Sequence, residues 1–212
     1  MALFHFEENK NYRFGIWKMD EDENALIEFL GYEVFVQFSN PGKRVEFLSV
    51  RALAKLMKID PQSIAYLPSG KPYLKNNSTS ISISHTKGYA AIMLSDMQNI
   101  GIDIEHKSER VKKIRSKFMH PREEDNLLNQ PGNESIALLL HWSAKESIFK
   151  AIPDEGVDFL KELEITNFTS PVEKGHFRAK ALRSGMEFEI DYRVENDFVL
   201  TACYPSTINK SR

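Results

Sequence analysis

The chain has 212 residues, of which 42% are hydrophobic and 27% charged, with a formal net charge of −2. This is enough apolar content to bury a core as one domain or two small ones, and the near-neutral balance excludes a global field for nucleic acid or an anionic membrane. The lone cysteine, Cys203, excludes an internal disulfide and reads as a packed thiol in an apolar strand. No apolar run approaches the roughly 18 residues of a membrane span. The start, Met1-Ala-Leu-Phe-His-Phe-Glu-Glu, lacks the basic region and apolar core of a signal segment, so the expected location is the cytoplasm.

In chain order, Asn11 to Lys18 reads as a strand, followed by a helix from Asp20 to Leu30 with acids in its first turn. Val45 to Met57 is a second amphipathic helix, with Pro41-Gly42 before it and Pro61 after it. Ser69-Gly70-Lys71-Pro72 has turn chemistry. Ser80 to Ser84 alternates as a strand ending at His85, and Lys87-Gly88 turns the chain into a returning strand, Tyr89 to Leu94. The second half echoes the first: a strand at Gly101-Ile102, a charged helical segment from Lys107 to Asn129, a helix from Ser135 to Lys150 and a closing strand from Asp197 to Tyr204. The expected architecture is α+β, with two similar halves, 1–98 and 99–205, related by a pseudo-twofold axis with the ligands between them. Residues 206–212 read as a disordered tail.

Two segments carry the chemistry. In Gly101-Ile102-Asp103-Ile104-Glu105, strand period sends both acids to one face and both isoleucines to the other. In the helix around Trp142-Ser143-Ala144-Lys145-Glu146, a wheel places Leu138, Leu139, Trp142 and Phe149 on one stripe. Glu146 falls inside that stripe, Lys150 sits beside it, and Lys145 leans off it toward solvent. An unpaired carboxylate on a core-facing stripe costs several kcal/mol, so Glu146 calls for a cation. Three acids with adjacent lysines suggest a hard divalent ion holding a phosphate-bearing ligand. Zinc spacings, a Gly-rich phosphate loop and a G-x-S-x-G elbow are all missing.

Ser69-Gly70-Lys71-Pro72, Ile83-Ser84-His85-Thr86, Gly101 to Glu105 and Trp142 to Ala151, in this order and spacing, resemble the 4′-phosphopantetheinyl transferases. The likeness is greatest to the larger, pseudodimeric type that modifies peptide- and polyketide-synthase carriers. The resemblance implies a monomer that moves phosphopantetheine from coenzyme A to a serine of an apo carrier protein, releasing 3′,5′-ADP. It implies Mg²⁺, with Mn²⁺ as a substitute, held by Asp103, Glu105 and Glu146. Glu146 would also serve as base, and Lys150 would face the pyrophosphate. Lys71, Ser84, His85 and, less closely matched, Lys145 are its coenzyme A contacts, with Arg44 and Arg51 for the 3′-phosphate. The basic run Lys107 to Lys117 would dock the acidic carrier, where the bland reading is a solvated helix face. The rival reading is a catalytically silent module that holds coenzyme A or a carrier; a third is a Mg²⁺-dependent phosphohydrolase.

Overall fold

The computed structural model describes residues 3–32, 34, 36–128, 132–153, 156–169 and 171–206. Most of the expected tail, 207–212, and the expected helix end at Asn129 therefore lie outside the described residues. The chain divides into two compact units, Met1–Asp96 and Met97–Arg212. Both are α+β, with helices packed on antiparallel sheets.

The first unit opens with β1 (Leu3–Glu8) and β2 (Arg13–Lys18), followed by α1 (Glu23–Leu30) and α2 (Pro41–Leu56). The small hairpin β3 (Ile64–Tyr66) and β4 (Pro72–Leu74) precedes β5 (Ser80–Thr86) and β6 (Tyr89–Ser95). The main sheet has the order β1-β2-β6-β5. Helix α1 starts later than Asp20 because Asp22 is its cap, its side chain accepting from Ala25 N at 2.9 Å. Helix α2 starts earlier than Val45. Asn40 caps it and Pro41 takes the first helical position, where a missing N–H costs nothing. Lys55 on α2 donates to the last carbonyls of α1, Phe29 O and Leu30 O, at 2.8 and 2.9 Å. The β5–β6 turn is as expected, with Gly88 at φ 80° between Thr86 and Tyr89.

The second unit runs β7 (Gly101–His106), α3 (Arg110–Lys113), a one-turn 3-10 helix (Arg115–Lys117), α4 (Pro121–Leu128) and α5 (Glu134–Ala151). It continues through α6 (Phe159–Glu162), β8 (Leu163–Thr166), β9 (Lys174–Ala181), β10 (Met186–Val194) and β11 (Phe198–Pro205). The sheet order is β7-β11-β10-β9-β8. The single charged helix expected from Lys107 onward is instead three short pieces. Pro121 cannot continue a helix from the preceding turn and starts a new one. Strands β1, β3, β4, β8, β9 and β10 are not among the expected elements; the polar alternation of Lys174–Ala181 and Met186–Val194 carries β9 and β10.

Helix α5 lies on β7 and β11, on the face that bears Gly101, Asp103 and Glu105. Thr201, paired with Asp103 across the sheet, meets Ser143 of α5 at 2.9 Å. Ile102 and Ile104 are buried on the opposite face. The approach of α5 is tight at one point: a Cβ on Gly101 would sit 1.9 Å from the backbone oxygen of Ser147. In the first unit a Cβ on Gly15 would meet side chains and no backbone, Leu53 Cδ1 at 2.8 Å and Met57 Sδ at 3.0 Å.

A side-chain end rotates away more cheaply than helix backbone moves. Gly101→Ala should therefore destabilise the protein by about 3 kcal/mol, the upper end for overpacking, and Gly15→Ala by about 1. Thermal unfolding of both variants checks the order; equal melting temperatures would contradict the close approach of α5.

Candidate active site

The acids of β7 point into the layer between sheet and helix, and α5 supplies their neighbours. Lys150 Nζ lies 2.7 Å from Asp103 Oδ1 and also donates to Ile102 O at 3.1 Å. Trp142 Nε1 donates to Glu105 Oε1 at 2.8 Å. Glu146 receives no hydrogen bond among the described residues. Burial, reinforced by the negative charges of Asp103 and Glu105, pushes its pKa up to about 7 against a partial offset from Lys150. Glu105 is raised as well, by burial first and by Asp103 second, with the Trp142 bond and the Lys150 and Arg110 charges pulling the other way. Asp103, Glu105, Glu146 and Lys150 thus form one electrostatic cluster.

Among the described residues, no three His, Cys, Asp or Glu side chains stand ready as a metal site. Lys150 supplies the local cation at Asp103 instead. The fit to a divalent ion is one of donor chemistry: three hard carboxylates, two of them raised by burial first and by neighbouring negative charge second, are the set whose charge such an ion relieves.

The second unit also holds a pocket of about 540 Å³ that begins at Glu105 and Trp142. Val111, Ile114, Leu139 and Phe159 line it with apolar surface, and Arg110 and Lys117 add positive charge.

Several sequence expectations are corrected here. Lys145 does not lean toward solvent; its side chain is 0% exposed and paired with Glu123, 1% exposed, at 2.8 Å. Its ammonium also donates to Phe118 O at 2.6 Å and Phe159 O at 3.1 Å, so it has no donor left for coenzyme A. The reason is that α5 is buried around most of its circumference, not along one stripe. Phe149, expected on the buried stripe, is 41% exposed. Arg115 in the basic run is tied to Glu124 and, at 2.6 Å, to Glu134, which raise its pKa and balance its charge locally.

In the first unit, Arg44 is held by Glu23 and donates to Phe38 O at 3.1 Å. Arg51 is buried, its guanidinium 3.3 Å from the centroid of the Phe47 ring. Both arginines are thus engaged within the fold of their own unit. His85 is half-exposed at the end of β5, 3.6 Å from Glu46, and Ser84 beside it is buried. Lys71 follows Gly70 in the β3–β4 turn, where its carbonyl accepts from Leu67 N at 2.9 Å. Sequence reasoning missed Glu123. Its signal was Pro121-Arg122-Glu123, an acid in the first turn of a new helix.

Residues 99–203, just under half of the chain, match the family model described as the 4′-phosphopantetheinyl transferase superfamily. The second unit is a domain of that superfamily. The match spans β7 through α5 to β11 and so contains the whole carboxylate cluster. No curated protein matches the chain. No described helix is long and apolar enough to cross a membrane.

The raised pKa of Glu146 has a consequence for stability. An acid that holds its proton more tightly when folded destabilises the folded state on ionising. Stability should then fall as pH rises from about 4.5 through about 7. Glu146→Gln should flatten that slope and melt no lower than wild type near pH 7.5. Melting temperatures of the metal-free protein from pH 4.5 to 7.5 test this; identical slopes for both proteins would remove the buried-charge assignment.

Proposed function

We propose that this chain transfers the 4′-phosphopantetheine arm of coenzyme A to a serine hydroxyl of an apo carrier protein and releases 3′,5′-ADP. The observation that carries the reading is Glu146, a carboxylate with a pKa near 7 beside Asp103, Glu105 and Lys150 inside the matched domain. A bound divalent ion would draw that value down and keep Glu146 ionised, the form in which a carboxylate can take the serine proton. The serine oxygen then bonds to the β-phosphorus as the bond to the departing 3′,5′-ADP oxygen breaks. Asp103, Glu105 and Glu146 would hold Mg²⁺ or Mn²⁺, which supplies charge neutralisation at the pyrophosphate when bound. Lys150, half-buried and already balancing Asp103, is placed to balance phosphate charge as well. The amphipathic pocket beside Glu105 suits the pantetheine arm, with apolar walls for its methylenes.

Lys71, Ser84 and His85 of the first unit are proposed coenzyme A contacts, to be tested singly by binding. The proposal also includes carrier docking on the segment Lys107 to Lys117, where Arg110, Lys112, Lys113 and Lys117 are exposed. Opposite charge there would raise the association rate with an acidic carrier.

The decisive measurement is intact mass of candidate apo carriers after incubation with coenzyme A and Mg²⁺. A phosphopantetheine gain is expected, lost in EDTA and reduced by orders of magnitude in Asp103→Ala, which should still fold. Coenzyme A binding without mass gain on any carrier would favour the silent module, and full transfer in Asp103→Ala would remove the carboxylate site.

Arg115 is committed to Glu124 and Glu134, so the docking test uses Lys113 and Lys112, the latter exposed and paired locally with Glu109 at 2.5 Å. Lys112→Glu with Lys113→Glu should raise carrier KM several-fold at low salt and less at physiological salt, with coenzyme A affinity unchanged. An unchanged carrier KM at both salts would return this segment to an ordinary solvated face.

A further inference from the structure

We infer that the buried Lys145–Glu123 pair is a positioning element for the carboxylate site: it fixes the two phenylalanines that flank Trp142, and Trp142 in turn aims Glu105. The activity arm of its test rests on the transfer reading above; the structural arm does not.

The pair joins four segments of the second unit. Lys145 of α5 donates to the carbonyls of Phe118 and Phe159. Glu123 of α4 accepts from Ile165 N of β8 at 2.6 Å and from His120 N at 2.8 Å. The two residues thereby satisfy four backbone groups that secondary structure leaves over. A buried ion pair adds little net stability over an apolar pair of the same volume, because desolvation offsets attraction. What an apolar pair cannot supply is direction: it would leave those four groups unpaired and their segments free to shift.

The shift would be felt at Trp142. The Phe118 ring stands edge-on to the indole with centroids 5.3 Å apart, and the Phe159 ring lies 5.6 Å from it. These are the residues whose carbonyls Lys145 holds. Trp142 precedes Lys145 by one helical turn, so both lie on neighbouring positions of α5. The indole N–H donates to Glu105 at 2.8 Å and fixes which way that carboxylate turns. Phe159 and Trp142 also line the pocket, so the same framework sets the pocket wall.

The test uses the full chain. Lys145→Met alone would strand the Glu123 charge, so the informative variant is Glu123→Gln with Lys145→Met, which removes both charges together. The readout is the indole N–H resonance of Trp142, assigned by its loss in Trp142→Phe. Glu105→Ala gives its position without the bond to Glu105. In the double variant this resonance should move toward the Glu105→Ala position and exchange faster, while that of Trp17 stays in place. Transfer should fall about 10- to 100-fold in kcat, with coenzyme A KM within about twofold of wild type. Glu123→Gln alone keeps an acceptor for Lys145 but leaves one of the backbone N–H groups of His120 and Ile165 without its oxygen; it should move the same resonance less far, and it decides the matter if the double variant does not fold. A folded double variant with the wild-type Trp142 resonance overturns the inference, as does a wild-type resonance in Glu123→Gln when the double variant does not fold. If the resonance moves as expected but the wild-type protein transfers nothing, the positioning role stands and the transfer reading falls.

Discussion

The site depends on how closely the backbone of α5 approaches β7. Without a side chain at Gly101, the helix settles until Ser147 O lies where a Cβ would be. That closeness brings Glu146 and Lys150 within electrostatic reach of Asp103 and lets Trp142 hold Glu105. A helix standing off by a methyl group would still cover the sheet, but those five side chains would no longer meet.

The second constraint is charge. Helix α5 carries two lysines and a glutamate into a layer with little water, and each is handled differently. Lys145 is fully enclosed and fully satisfied, so it organises neighbouring segments without chemistry of its own. Lys150 is half-exposed and balances one carboxylate, leaving part of its surface toward solvent. Glu146 has no hydrogen-bond donor among the described residues, and burial, with the negative charge around it, raises its proton affinity. Among the described residues the fold thus leaves one acid with only the charge of Lys150 to offset it while satisfying the neighbouring Lys145 completely. A stability-optimised site would pair all three, which is the usual compromise at functional positions.

The superfamily domain and the carboxylate cluster coincide within 99–203, and the chemistry proposed follows from that coincidence. The first unit's two arginines illustrate why a motif alone does not assign a ligand. Arg44 is paired with Glu23 and Arg51 is stacked on Phe47, and either would have to leave an existing partner to meet a phosphate. His85 also has a partner, Glu46 at 3.6 Å, but differs in being about half exposed on a strand end.

By itself, the sequence determined the local facts: strand period placed Asp103 and Glu105 on one face, helical period placed Trp142, Glu146 and Lys150 one turn apart, and Lys87-Gly88 set a hairpin. These depend on neighbours a few residues away, which is where periodicity and turn chemistry operate. Only the tertiary structure decided which face of β7 the helix covers, that Lys145 points inward to Glu123, and that Arg115 is spent on Glu124 and Glu134. A helical wheel assumes one wet side and one dry side. α5 is covered around most of its circumference, so the direction of each lysine is set by segments such as Phe118, Phe159 and α4. These lie 14 to 27 residues away from Lys145 and bear no periodic relation to it.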